Sequence, residues 1–411
     1  MRAHIRLRTL FINHSPVEGS GSGSYTRAMA EHLAERGVES FVLTPGAEAS
    51  EYREGRTTYR TVTLNGLGGG AFPTFTGHPA SPLTYRDLNG AQIEEYRRII
   101  SRAIADAAAD CRADVIHAQH LFLLPPLARR TGLPVVTTCH GSELHFCRTA
   151  GVVDWPGVLA EAVRSSSRVV MVSEYVAGLA RSSYEVPAEK TAVIHNGFDL
   201  RTFSPDVAAS TPPPQGLEGL RVARGLVAGV GRLVAYKRFD VLLRALRLMQ
   251  DESGADSPGA VIVGDGPERE SLTRLAAELG LRNTLFLGFR TQAEVANIFA
   301  RADLTVVPSR EEPFGLVALE SMACGTPVVA SASGGLPEFV DGNVGVLVEG
   351  WEPRTWAEAV ASELRGGAKE RKRDKAVRRA SEFTWERAAQ KLIEVYRAAL
   401  GRPGGGVSDG L

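Results

Sequence analysis

Glu311-Glu312-Pro313-Phe314-Gly315-Leu316-Val317-Ala318-Leu319-Glu320-Ser321-Met322-Ala323-Cys324-Gly325-Thr326-Pro327-Val328-Val329-Ala330 is the stretch that decides the fold. The residues before it, Ala302 to Pro308, form a short apolar run ending at proline, which predicts a buried strand. Gly315 opens a helix, Gly325 closes it, Pro327 lies just beyond, and Val328-Val329-Ala330 begins another strand. Strand, loop, helix and strand in so few residues make one step of a parallel α/β sheet. Glu312 lies in the loop and Glu320 about five residues into the helix, with seven residues between them. The first N–H groups of a helix have no intrahelical acceptor, so Gly315, Leu316 and Val317 offer an anion site. A phosphate held there could carry one sugar toward Glu312 and another toward Glu320, because one carboxylate can accept hydrogen bonds from two adjacent hydroxyls.

The same alternation extends in both directions. In the first half, strands are predicted at Arg8 to Asn13, Ser40 to Thr44, Val115 to Ala118, Val135 to Thr138, Val169 to Val172 and Thr191 to Ile194, with helices at Ser24 to Arg36 and Ile93 to Asp110. Gly46 to Gly90 reads mostly as loop, with some strand at Tyr59 to Leu64 and a triple glycine at Gly68-Gly69-Gly70. The clearest linker is DVAASTPPPQGLEG from Asp206 to Gly219, rich in proline and small residues. A second series follows from Arg224. At 411 residues the chain is too long for one ordinary core. The expected division is a first domain at 1–205, a linker at 206–220, a second domain at 221–384, a terminal helix at 385–400 and a disordered tail at 401–411.

Four further segments carry candidate chemistry. Gly229-Val230-Gly231-Arg232-Leu233-Val234-Ala235-Tyr236-Lys237-Arg238 places Arg232 and Lys237 on one turn after a strand, either as surface cations or as anion ligands. Gly264-Asp265-Gly266-Pro267 and Gly288-Phe289-Arg290 follow the next two strands, and Arg290 could stack on a base. Gly19-Ser20-Gly21-Ser22-Gly23 lies between strand and helix; a dinucleotide fingerprint would need an acidic residue after the second strand, which instead ends in Thr44-Pro45. Val136-Thr137-Thr138-Cys139-His140-Gly141 sets a histidine at a strand's carboxyl end.

Taken together, and nearly word for word from Glu312 to Ala330, the chain resembles the family 4 retaining glycosyltransferases of the GT-B fold. That resemblance implies two facing doubly wound Rossmann-like domains with a deep cleft between them, the last helix crossing back to the first domain. It implies transfer of a sugar from a nucleoside diphosphate donor, with UDP or GDP expected, and retention at the anomeric carbon. Arg232 and Lys237 would hold the diphosphate, Glu312 the transferring sugar and Glu320 the ribose. Phe314, Gly315, Leu316, Val317, Gly231 and Gly264 would line the donor, with Arg290 near the base. Gly21 and Gly23 would approach the diphosphate from the first domain, and His140 would contact the sugar. Asn196-Gly197, with Phe203 and Pro205, matches the run before the family's linker. An epimerase on the same fold, a non-catalytic partner subunit and a membrane-associated glycolipid or polysaccharide transferase are the alternatives. The complete set Arg232, Lys237, Glu312 and Glu320 argues against the subunit.

Composition bounds the rest. Hydrophobic residues are 44%, charged residues 23% and formal net charge is zero, which argues against a nucleic-acid binder. No apolar run reaches the roughly 18 residues of a membrane span, and the first residues lack a signal peptide's apolar core, so a cytoplasmic location is expected. The stretch Cys139-His140-Gly141-Ser142-Glu143-Leu144-His145-Phe146-Cys147 has metal-ligating residue types but no C-x2-C pair, and the chain holds no D-x-D triplet. The expectation is a metal-independent enzyme without cofactor, acting on a small soluble acceptor as monomer or homodimer. An aminocyclitol, an inositol phosphate or a secondary metabolite would fit as acceptor.

Overall fold

A computed structural model of the chain describes residues 7–67, 71–75, 78, 80–148, 153–206, 212–213, 215–217, 220, 224–254 and 257–401. The chain forms two compact units, 1–196 with 385–411, and 197–384.

The first unit is built on eight strands: β1 (Arg8–Ile12), β2 (Glu39–Gly46), β3 (Ser50–Glu54), β4 (Thr57–Thr63), β5 (Val115–Gln119), β6 (Val135–Cys139), β7 (Arg168–Met171) and β8 (Thr191–Val193). Their order is β3-β4-β2-β1-β5-β6-β7-β8, parallel throughout except for the β3–β4 edge pair. Central strands such as RTLFI and VVTTC are buried along almost their whole length, as strands covered by helices on both faces must be. The helices are α1 (Gly21–Glu35), α2 (Gly90–Cys111), α3 (Leu124–Arg129), α4 (Ser142–Phe146), α5 (Trp155–Ser165) and α6 (Glu174–Tyr184).

The second unit is a six-stranded, wholly parallel sheet in the order β11-β10-β9-β12-β13-β14. Its strands are β9 (Leu226–Val230), β10 (Gly259–Val263), β11 (Thr284–Gly288), β12 (Leu304–Val307), β13 (Val328–Ser331) and β14 (Gly345–Val348). Its helices are α7 (Phe239–Ser253), α8 (Arg269–Glu278), α9 (Gln292–Arg301), α10 (Leu316–Ala323), α11 (Pro353–Arg365) and α12 (Ala368–Ala380). Leu242, Leu246 and Met249 of α7 pack with Trp356 and Val360 of α11 over Val227, Ile262 and Val306 of the sheet. The last helix, α13 (Trp385–Ala399), belongs to the first unit. Tyr396 Oη lies 2.7 Å from His117 Nδ1 on β5, Arg36 pairs with Glu386 at 2.9 Å, and the Trp385 ring meets Tyr25 edge-on.

Three features differ from the sequence reading. Gly46–Gly90 is less loop-like than expected: β3 and β4 form a hairpin, because Thr57 to Thr63 alternates well enough to extend the parallel edge at β2. The division falls at Asn196–Gly197 rather than after residue 205, since Phe198 bridges to Thr384 and Phe203 packs near Phe299 within the second unit. Helix α1 begins at Gly21 instead of Ser24, capped by Ser20. Gly68–Gly70, most of the 206–220 linker and the tail 402–411 lie outside the described residues.

Candidate active site

Strand order in the second sheet runs one way through β9, β10 and β11 and the other way through β12, β13 and β14. The loops after β9 and β12 therefore part from each other, which opens a crevice at the carboxyl edge. The β9 loop brings Arg232 and Lys237 to it, and the β12 loop brings Glu312. Lys237 Nζ stands 2.5 Å from Glu312 Oε2, with side chains only 13% and 10% exposed. A 3-10 turn at Ala235–Lys237 and the left-handed Arg238 (φ 52°) aim the lysine. Arg310 N–H donates to Tyr236 O at 2.7 Å and ties the two loops together. Burial alone would lower the Lys237 pKa; the Glu312 carboxylate and the Tyr236 hydroxyl outweigh it and hold the ammonium above its ordinary value. Arg232, half-buried on the same loop, has its guanidinium pKa lowered by burial. It remains a cation.

Helix α10 starts where its sequence says. Gly315 adopts φ 109°, and a Cβ there would lie 2.5 Å from Leu336, so glycine is required on both counts. Gly315 O accepts from Ala318 and Leu319, while the N–H groups of Gly315, Leu316 and Val317 have no acceptor among the described residues. Glu320 follows on the same helix, partly exposed, with no side-chain hydrogen bond among the described residues. Burial pushes its carboxyl up to about 8. The Phe314 ring is 2% exposed and wedged against Phe339 and Phe383, so its side chain shapes the loop from beneath.

The glycines after β9, β10 and β11 interlock. A Cβ on Gly264 (φ 129°) would sit 1.9 Å from Gly231 O, and one on Gly266 2.4 Å from Leu233 O. Backbone bonds continue the stack: Gly231 N to Val263 O at 3.0 Å, Leu233 N to Asp265 O at 2.9 Å and Gly264 N to Gly288 O at 2.8 Å. Gly231 and Gly264 thus hold the cradle's shape. The Arg290 guanidinium is engaged by Phe289 O at 2.8 Å and by Glu294 at 3.6 Å. The Phe289 ring beside it is 73% exposed.

In the first unit the strand order reverses between β1 and β5. Ser20 Oγ accepts from Gly23 N at 3.0 Å, and a Cβ on Gly23 would meet Pro16 O and Val17 O at 2.5 Å. The Gly23 N–H is therefore engaged in capping α1. Around Gly21 there is open space. His140, at the end of β6, sets its Nε2 2.8 Å from Gln119 Oε1, and its backbone N–H donates to Glu143 at 3.1 Å. Burial, with His120 nearby, lowers its pKa to about 3, so the imidazole is neutral. Glu143 is fully buried and also accepts from Leu121 N at 3.1 Å and lies 3.0 Å from His120 Nδ1. Burial would raise its pKa, but His120 and these donors bring it well below the usual carboxyl range.

Residues 219–382 match the family described as Glycosyl transferases group 1, and residues 19–202 match Glycosyltransferase Family 4. A D-inositol 3-phosphate glycosyltransferase of Mycobacterium tuberculosis is 32% identical, the match covering 96% of this chain and 84% of the relative. The chain belongs to the family 4 glycosyltransferases. Solved structures similar to this glycosyltransferase include a sucrose-phosphate synthase from Thermosynechococcus elongatus (TM-score 0.76, 23% identity, 96% of this chain and 100% of that one). The Anabaena protein HepE in complex with UDP and glucose is another (TM-score 0.71, 22% identity, 95% of this chain and 100% of that one). The fold is GT-B.

Other residues of this glycosyltransferase escaped the sequence reading. Ser333-Gly334-Gly335 after β13 cradles the Glu312 loop: Gly335 N donates to Glu312 O at 2.8 Å, and Ser333 Oγ accepts from Glu311 N at 3.1 Å. A glycine pair past a strand end was the available signal. His120 and Glu143 have a weaker signal, a buried acid within a histidine-rich run. Among the described residues no group of three or more His, Cys, Asp and Glu is arranged to hold a metal ion, and no helix is long and apolar enough to cross a membrane.

Proposed function

We propose that this glycosyltransferase moves a sugar from a UDP- or GDP-sugar to a hydroxyl of a small soluble acceptor, with retention and without a metal ion. The observation that carries the reading is the buried Lys237–Glu312 pair beside the unused N–H groups of α10, at the crevice where the second sheet changes direction. Negative charge grows on the β-phosphate as the sugar departs. Fixed cations and helix N–H groups stabilise that charge more in the transition state than in the ground state. In this reading Arg232, Lys237 and the N–H groups of Gly315 to Val317 hold the diphosphate. Glu312 binds hydroxyls of the transferring sugar and Glu320 the ribose, and His140 is a sugar-contacting residue. The bond from the anomeric carbon to the phosphate oxygen breaks, and a bond to the acceptor oxygen forms on the same face. The acceptor's proton passes to the departing phosphate.

HepE, in complex with UDP and glucose, supports a UDP donor, and the D-inositol 3-phosphate glycosyltransferase supports a cyclitol-like acceptor. The test is a thermal-shift panel of UDP-, GDP-, ADP- and TDP-sugars with and without EDTA. One responder, unchanged by EDTA, is the expected result, because a ligand that binds only the folded state raises its melting temperature. No response from any donor, or a response abolished by EDTA, would overturn the donor site as described.

A further inference from the structure

We propose that the carboxyl edge of the first sheet receives an uncharged, hydroxyl-rich acceptor in preference to a phosphate ester, and that His14 is a specificity-determining residue reading one of its hydroxyls. This rests on the reading of the chain as a transferase whose acceptor lies in the first unit.

His14 follows β1 and is 2% exposed. Its Nδ1 is engaged by Tyr85 Oη at 2.5 Å and Tyr96 Oη at 3.0 Å, while Nε2 is buried with no partner among the described residues. Buried polar atoms are almost always paired, so an orphan at a strand's carboxyl end asks for a ligand. A second orphan lies on the neighbouring strand: Gln119 is fully buried, its Oε1 bonded to His140 and its Nε2 unpaired among the described residues. His120 connects the two, its ring centroid 5.8 Å from that of His14 and 4.8 Å from that of His140. Phe75 and Phe122 close the sides of His14 at 5.8 and 5.6 Å. Phe75 comes from the long segment between β4 and α2. Ring nitrogens and an amide beside aromatic faces suit a polyol, whose hydroxyls both donate and accept while its C–H faces pack on rings.

The charges point the same way. Residues 13–20, 119–124, 139–147 and 172–174 contain no lysine or arginine, and 64–90 contain only Arg86. Arg86 donates to Phe146 O at 2.8 Å and lies over the Phe146 ring at 4.4 Å. Arg27 of α1 pairs with Glu18 and Glu54, and Arg148 lies exposed beyond α4. The charge buried within this cluster is the Glu143 carboxylate, and burial keeps His14 and His140 neutral. A phosphate dianion placed here would lose its water and meet no lysine or arginine of these segments other than Arg86, while His120 is already engaged by the Glu143 carboxylate at 3.0 Å.

The test uses the full chain with the donor found in the thermal-shift panel. Two matched pairs serve as acceptors, myo-inositol with D-inositol 3-phosphate and glucose with glucose 6-phosphate, followed by release of nucleoside diphosphate. At least one neutral member should exceed its ester about tenfold in kcat/KM. His14→Ala should raise the KM of that acceptor about tenfold and His14→Gln less, with UDP affinity and melting temperature kept as checks on folding. Preference for an ester, or no preference in either pair, overturns the proposal. So does an unchanged acceptor KM in both variants. Loss of nucleotide binding in the wild type would instead strike the donor reading. Calorimetry on the same pairs then decides the acceptor class alone, with tighter or equal binding of the esters counting against it.

Discussion

The two sheets share a plan and differ in what they place on it. Each reverses direction once, between β1 and β5 in one and between β9 and β12 in the other. At the second reversal stand a cation and a carboxylate 2.5 Å apart, next to a helix start with unused donors. At the first stand three histidines and a glutamine, with the one acid committed to backbone and imidazole N–H groups. The same fold therefore supplies one crevice with a lysine and an arginine and another whose buried acid is already paired with a histidine, and the difference lies in loop residues rather than in strand order. In the proposed reading, the lysine–glutamate pair stands where a phosphate leaves, and the histidine edge is the one that meets a hydroxyl.

The largest expected effect breaks the charged edge. Lys237→Ala should cut transfer by about 10²–10³-fold, the usual loss when a fixed group stabilising a developing anion is removed. It should also cost about 3–5 kcal/mol of stability, because Glu312 is left buried without a partner. Lys237→Met with Glu312→Leu should recover much of that stability and none of the transfer. Urea melts and steady-state rates separate the two effects, and a single variant as stable as wild type would mean the pair is solvated.

The matching change at the histidine edge should be smaller. His140→Ala is expected to lower kcat about tenfold to hundredfold, as befits one lost hydrogen bond to a reacting sugar, with UDP affinity unchanged. A large fall in UDP affinity would place His140's role on the nucleotide and weaken the contrast.

Glu320 sharpens the comparison through pH. Its pKa of about 8 means that the carboxylate, the form able to accept both ribose hydroxyls, grows as pH rises. UDP should therefore bind about tenfold more tightly at pH 8.5 than at 6.5, and Glu320→Gln should flatten that dependence. A wild-type affinity independent of pH would remove the ribose role.

The last effect concerns stability, and its sign differs between the units. His117 and His140 have folded pKa values near 3, lowered by burial. The unfolded chain binds more protons, and the first unit should lose stability as pH falls below about 6.5. Glu320 binds its proton more tightly when folded, so the second unit should gain stability as pH falls from about 8 toward 4.5. Hydrogen exchange on the full chain at pH 7.5 and 5.5 should show opposite changes of about 2–3 kcal/mol, and parallel changes would refute the assignment.

Most of this plan was legible from Glu311 to Ala330 because every local signal there agrees: apolar strands, a helix-opening glycine and a closing Gly-Thr-Pro. The same consistency made the turns that carry Arg232, Lys237 and Gly264 readable as strand-end loops. The directions of the Phe314 and Arg290 side chains were not legible, because sequence proximity to a site says nothing of direction. The Phe314 ring turns into the core, and the Arg290 guanidinium turns back onto its own loop. The capping role of the Gly23 N–H was not read, although Ser20 three residues earlier is a good helix cap. The histidine cluster stayed hidden because His14, His120 and His140 come from three separate strand ends, and only the sheet brings them together. Phe75 and Tyr85 lay in a segment whose composition suggested loop, and their role emerges only from packing.

The contact between Gly264 and Gly231 has a consequence for anyone wishing to retune the nucleotide. With 1.9 Å between a would-be Cβ and the neighbouring carbonyl oxygen, the turns after β9 and β10 move as one piece. The hydrogen bond from Gly264 to Gly288 adds the turn after β11 to that piece. Exchanging any one of these turns for that of another protein would leave it mismatched with the other two. Transplanting all three together as a single cassette is the sound route to a new donor preference.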